Sequence, residues 1–344
     1  MVFCASGAYF YQIISSFLNK SIKIIVNYLL GPIVFIVLSV SLYYQVKNQP
    51  DLPLRWQQIR YSWQNGLFWV SMLLMFLNWG IEAWKWQIQL APLERISFSK
   101  AFKSVLAGCS ITMLTPNRIG EFGGRILYVK EENRLRAITL TILGSISQFL
   151  VTILMGTAGL ILLKYFSGRY SDIFQTIPAF LSDTILATAI AMSILTTLFY
   201  FRIGWLIHLM ERFQFLSKAL KYVRLLEQFS GKQLLRILIL SFLRYGVFIL
   251  QYLLLMNVMG IEINVQVSFW LLTVFYLIMA MAPTIGFTEL PVRATASVEL
   301  FKLFSPNIVG IQAATLGIWL INLVLPAVIG SILILGVKIS KDDE

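Results

Sequence analysis

The sequence has 344 residues, 58% of them hydrophobic and 13% charged, with a formal net charge of +12 and a mean hydropathy of +0.77. Soluble domains are about half apolar and about a quarter charged, so this composition excludes a water-soluble enzyme and makes the bilayer the relevant solvent. The basic excess fits Lys and Arg held on the cytoplasmic side against anionic lipid, and gives no reason to expect nucleic acid.

Residues 1–17 form an apolar patch with no basic residue before Lys20, which is not the order of a cleaved signal peptide, and an interfacial leader is expected. Ile24 to Val46 is the first spanning candidate, followed by a turn-rich stretch to Pro53. Gly66 to Gln89 is the second; it carries Glu82 and Lys85 near its end, and Trp69, Trp79, Trp84 and Trp86 suit a headgroup belt. From Ala101 to Tyr128 an apolar piece ends at Thr115-Pro116 and another runs on from Gly120, Gly123 and Gly124. Each half is too short to span alone, so a re-entrant hairpin or broken helix is expected.

Ala137 to Leu163 is the third span, with Gly144, Ser145, Ser147, Gly156 and Gly159 offering small faces for helix packing. Ser182 to Phe201 is the fourth. The stretch 202–236 sets seven basic residues against Glu211 and Glu227 and reads as a cytoplasmic, surface-lying amphipathic segment. Ile237 to Met259 is the fifth span, Val267 to Met281 leads into a second broken stretch, and Ile308 to Val337 is a final span kinked around Pro326. The expected fold is an all-α polytopic membrane protein, one transmembrane domain over 1–344 with about six spanning helices and two opposed re-entrant elements.

The two broken stretches echo each other. Pro116, Ile119-Gly120, Glu121 and Arg125 recur as Pro283, Ile285-Gly286, Glu289 and Arg293, with carboxylate and guanidinium spaced i,i+4 in both. If both termini are cytoplasmic, most basic residues fall inside, the exceptions being Lys47, Arg55, Arg60, Lys164 and Arg169. The first motif then enters from the cytoplasm and the second from outside. Residues 66–163 and 237–337 become inverted-topology repeats, an arrangement that puts a substrate site near the midplane.

Charges at membrane depth are costly, so Arg118, Glu121, Arg125, Glu289 and Arg293 require a reason. The Glu/Arg pairs could serve only to neutralise one another. Five charges leave one surplus positive, however, and Thr115-Pro116 and Thr288 resemble helix starts that favour an anion. An anionic headgroup between two half-helix starts is the functional expectation, with Thr115, Pro116, Arg118, Gly120, Glu121, Arg125, Pro283, Gly286, Thr288, Glu289 and Arg293 as the site. Cys4 and Cys109 support neither a disulfide nor a thiolate metal site, His208 is the only histidine, and no cofactor motif is evident.

Residues 115–121 (Thr-Pro-Asn-Arg-Ile-Gly-Glu) and 283–293 (Pro-Thr-Ile-Gly-Phe-Thr-Glu-Leu-Pro-Val-Arg) resemble the two signatures of the lysylphosphatidylglycerol synthase transmembrane region, the flippase-like part of the multiple peptide resistance factor. The resemblance implies a bundle with two re-entrant elements that moves a lipid between leaflets, with signature roles at Pro116, Arg118, Gly120, Glu121, Gly286, Glu289 and Arg293. The aminoacyl-transferase domain of the full-length proteins is missing from this sequence, so lysyl transfer from tRNA is not expected. The second motif departs in Phe287-Thr288 and Pro291. The expected function is transport of an anionic phospholipid or polyprenyl-phosphate-linked lipid, in a cell inner membrane, with a homo-oligomer possible; the alternative is a membrane-embedded transferase acting on a lipid-linked substrate.

Overall fold

A computed structural model of the chain describes residues 31–113, 120–165, 178–212, 220, 222–282 and 289–342, and these residues contain helices and no strand. In chain order the helices are α1 (Gly31–Lys47), α2 (Leu52–Arg60), α3 (Gly66–Leu90), α4 (Phe98–Met113), α5 (Gly120–Ile126), α6 (Arg134–Tyr165), α7 (Ala179–Phe201), α8 (Ile203–Glu211), α9 (Gly231–Val258), α10 (Val265–Met281), α11 (Glu289–Phe301), α12 (Ile308–Trp319) and α13 (Leu325–Asp342). Five are long and apolar enough to cross a membrane: α3, α6, α7, α9 and the unit running from α12 into α13. Of the expected first span, 31–47 is helical, and its earlier residues lie outside the described set. The protein is an all-α, polytopic membrane protein.

Short polar side chains set where the spans begin. Asn65 accepts from the Leu67 amide ahead of α3, Ser230 and Gln233 form a reciprocal capping box on α9, and Asn264 caps α10. Gly260 ends α9 with φ +64, a left-handed conformation that a side chain resists, and a Cβ there would also collide with Gln58.

Helices α3 and α9 pack along their length. Gln251 Nε2 donates to Ser71 O at 2.9 Å, Arg244 Nε to Asn78 Oδ1 at 2.7 Å, and Lys85 Nζ to Ser241 Oγ at 3.4 Å. Residue numbers rise on one helix as they fall on the other, so α3 and α9 are antiparallel. Around this pair, α10 packs against α6, and α4 packs against α13. Gly156 and Gly159 of α6 lie against Leu277 and Thr273 of α10, Gly144 against Gln89, and Ser147 Oγ bonds Ser241 Oγ at 2.7 Å. Lipid provides no hydrophobic force between helices, so close approach at small residues and hydrogen bonds across helices supply the cohesion. Ser145 is the exception to the expected small face and bonds back to Thr141 O within its own helix.

The connections collect at two ends. At one, Gln49 reaches Pro306 O, and Asn307 donates to Met259 O and Gly260 O at 2.9 and 3.1 Å. At the other, Glu94 accepts from the Lys130 amide and pairs with Lys100. The α4/α5 unit therefore opens toward the Glu94 end, and α10/α11 toward the Asn307 end. Two charges that did not fit the positive-inside pattern carry local partners: Arg55 pairs with Asp51 at 2.6 Å and Lys164 with Asp183 at 2.5 Å.

The last span is interrupted just before Pro326, and the means is specific. Leu320–Val324 is a π-helical turn between α12 and α13. Pro326 has no N–H for the carbonyl of Asn322, and the wider turn absorbs that lost bond. Two sequence expectations need correction. The basic segment does not lie on the surface throughout, because α9 begins at Gly231 and takes Lys232 and Arg236 into a spanning helix. The four tryptophans of α3 do not form one belt: Trp69 and Trp84 are exposed, whereas Trp79 and Trp86 are core residues at 8% and 0% exposure. Residues of an α-helix return to the same face every three or four positions, which turns Trp79 and Trp86 inward together.

Candidate functional site

The first motif folds back on the preceding helix. At 1.5 Å per residue, α4 (16 residues) and α5 (7 residues) are each shorter than a hydrocarbon layer of about 30 Å. They pack antiparallel at backbone contact, since a Cβ on Gly124 would overlap the Ala107 carbonyl and Gly108 Cα, and one on Gly108 would come within 3.1 Å of Arg125 Cγ and Glu121 O. Ser104 Oγ, donating to Arg125 O at 2.9 Å, ties the two limbs together. Glycine is needed here because only a missing Cβ permits the approach that buries Arg125.

Arg125 enters an ion cluster built on Glu82. Its Nη2 donates to Glu82 Oε1 at 2.7 Å and also to Glu121 Oε1. The other Glu82 oxygen takes Lys85 Nζ at 2.8 Å and Arg244 Nη1 at 3.1 Å. One carboxylate thus serves three cations from α3, α5 and α9. Indole rings shield two of them: Arg125 lies 5.2 Å from the centre of Trp86, and Arg244 5.3 Å from that of Trp79. Burial of isolated charges would be prohibitive, and shared ion pairs with cation–π contacts are what make it tolerable. The account is not fully closed. Among the described residues three cations face the two carboxylates Glu82 and Glu121, and Arg125 Nε and Nη1 find no acceptor there although they are buried.

In the second motif Arg293 Nη2 donates to Glu289 Oε1 at 2.9 Å, the same i,i+4 pair on α11. Arg293 is 9% exposed, its Nε finds no acceptor among the described residues, and its guanidinium lies 6.0 Å from the centre of Phe275 on α10. Below it Tyr252 Oη bonds Thr315 Oγ1 at 2.6 Å, and Thr315 bonds Ser297 Oγ at 2.8 Å, joining α9, α12 and α11.

Of the residues singled out by sequence, Gly120, Glu121, Arg125, Glu289 and Arg293 are in place on α5 and α11. Thr115, Pro116, Arg118, Pro283, Gly286 and Thr288 lie outside the described residues. The two Glu/Arg pairs sit on separate helices, α5 and α11. Aromatic rings connect them: Arg244 lies 5.3 Å from Phe248, Phe248 lies 6.3 Å from Tyr276, and Tyr276 lies 5.4 Å from Phe275 beneath Arg293.

A family model of the lysylphosphatidylglycerol synthase TM region matches residues 24–330, which spans every helix just described except the end of α13. The chain belongs to that family. No curated protein matches it. As a lysylphosphatidylglycerol synthase TM region, the chain is a multi-pass membrane protein of lipid-related function. Within this member the sequence reading missed Arg244 and gave Glu82 and Lys85 no role. The available signal was a lone arginine inside the apolar run Ile237 to Met259, which in a spanning helix requires a carboxylate partner.

Proposed function

We propose that this protein moves an anionic, phosphate-bearing lipid between the leaflets of a cell inner membrane, its termini cytoplasmic. The observation that carries the reading is the buried cluster of Lys85, Arg125 and Arg244 over Glu82 and Glu121, one positive charge in excess, with Arg244 Nη2 bonded to no described residue. A phosphate headgroup supplies the missing negative charge and acceptors. Its acyl tails can stay in lipid while the headgroup occupies the polar interior.

The helix directions support a two-fold arrangement. With α3, the α4/α5 pair and α6 taken as one unit and α9, the α10/α11 pair and α12–α13 as the other, the leading helices are antiparallel. The first limb of each broken element packs on the last span of the opposite unit. Asn78 Nδ2 donates to Asn322 Oδ1 at 3.2 Å between α3 and the π turn, and the Ser241–Ser147 bond occupies the corresponding place between α9 and α6. Rocking of such halves would expose a central site to each side in turn.

The test is a dithionite assay on proteoliposomes holding fluorescent phospholipids. Protein-dependent loss of inner-leaflet fluorescence for phosphatidylglycerol is expected, and it should be abolished in Arg118→Ala and in Glu289→Gln. Equal rates in the parent and both variants would remove the motifs from the mechanism. Absence of movement in the parent would remove transport itself.

A further inference from the structure

One cation of the buried cluster is not enclosed. The side chains of Arg125 and Lys85 are 2% and 1% exposed, whereas that of Arg244 is 14% exposed. Arg244 is also the most fully oriented of the three. Asn78 Oδ1 accepts from its Nε at 2.7 Å, Glu82 holds its Nη1 at 3.1 Å, and the rings of Trp79 and Phe248 each lie 5.3 Å from the guanidinium carbon. Its Nη2 donates no hydrogen bond to any described residue. A guanidinium fixed at one edge and by its rings, with donor capacity at the other edge, is preorganised for an oxyanion. Position adds to this, because Phe248 on the same helix begins the row of rings that leads to Arg293.

Resting on the transport reading above, we infer that Arg244 is the residue that takes the lipid phosphate, with Asn78 and Glu82 positioning its guanidinium. Arg125, closed in by Glu82, Glu121 and Trp86, is then a scaffold for that residue rather than a contact. The ligand class is a phosphodiester headgroup of net negative charge. A zwitterionic phosphatidylcholine, whose ammonium would be brought toward Lys85 and Arg125, is disfavoured.

The test measures binding and movement of phosphatidylglycerol by the purified full chain, with phosphatidylcholine as the net-neutral, zwitterionic comparison. Binding is read from tryptophan fluorescence, since Trp79 lies against Arg244. Arg244→Lys keeps the charge but loses the planar fork, and a lost charge-assisted hydrogen bond should weaken phosphatidylglycerol binding about tenfold or more. Arg244→Gln, which leaves Glu82 paired with Lys85 and Arg125, is measured beside it and should show the same loss. Arg202→Gln, an exposed site, should bind as the parent does. Inorganic phosphate and glycerol phosphate form the soluble arms: competition by glycerol phosphate that vanishes with Arg244 supports the assignment, and phosphate binding without phosphatidylglycerol binding would overturn a lipid source. If the parent moves no phosphatidylglycerol, transport fails whatever Arg244 does. If the parent moves it and both Arg244→Lys and Arg244→Gln match its affinity, only the role of Arg244 fails.

Discussion

Glu82 is the residue on which three helices depend, because its two oxygens hold Lys85, Arg125 and Arg244 at 2.7 to 3.1 Å. Removing the shared partner of buried cations leaves them uncompensated, and breaking such pairs costs about 3–5 kcal/mol. Glu82→Gln should therefore lower the thermal midpoint in detergent far more than Glu121→Gln, whose carboxylate is 28% exposed and can be replaced by water. A midpoint unchanged by Glu82→Gln would mean that the cluster does not hold the helices. At the surface, Asp51 carries a smaller, pH-dependent contribution. The hydrogen bond from Gln49, with the Arg55 guanidinium, holds its carboxyl below the ordinary carboxylate value of 3.8. A lowered folded-state value means the contribution is present above 3.8 and is lost as pH falls through the lowered value. The stability difference between parent and Asp51→Asn should accordingly be present at neutral pH and close on acidification, as thermal melts across pH would register.

At the scale of the element, the α4/α5 hairpin depends on two glycines with opposite neighbours. A Cβ on Gly124 overlaps the backbone of α4, whereas one on Gly123 meets no atom of the described residues within 4 Å. Overpacking at a close backbone contact costs about 1–3 kcal/mol, so Gly124→Ala should separate the limbs and weaken both stability and transport. Gly123→Ala should be neutral or stabilising by up to about 1 kcal/mol, since alanine is the better helix former. Melting curves of the pair decide this, and equal effects would show that the hairpin is not held by backbone contact. The hairpin was legible in sequence because Pro116 and three glycines interrupt a run too short to span. The depth of Trp79, Trp86, Glu82 and Lys85 on α3 was not, since a headgroup belt and a buried charge site use the same residue types.

Over the whole molecule, the antiparallel α3/α9 pair and the two opposed hairpins predict which loops face which side. Lys130 follows the first hairpin and Glu262 lies between α9 and α10, both exposed and at opposite ends. In intact cells an impermeant maleimide should label Glu262→Cys from outside and Lys130→Cys only after the membrane is opened. The reverse pattern would invert the topology, and labelling of both from one side would end the two-fold reading.

The membrane class, the five long spans to within a few residues, the two Glu-x-x-x-Arg pairs and the family were all legible in the sequence, because hydropathy and i,i+4 spacing are local properties. Only the tertiary structure decided that Arg125 meets Glu82 across 43 residues and that Arg244 completes the cluster from α9. Those pairings depend on which faces of antiparallel helices meet in the bilayer. A charge buried there is stabilised by partners that folding brings close, and nothing in its own neighbourhood of the chain names them.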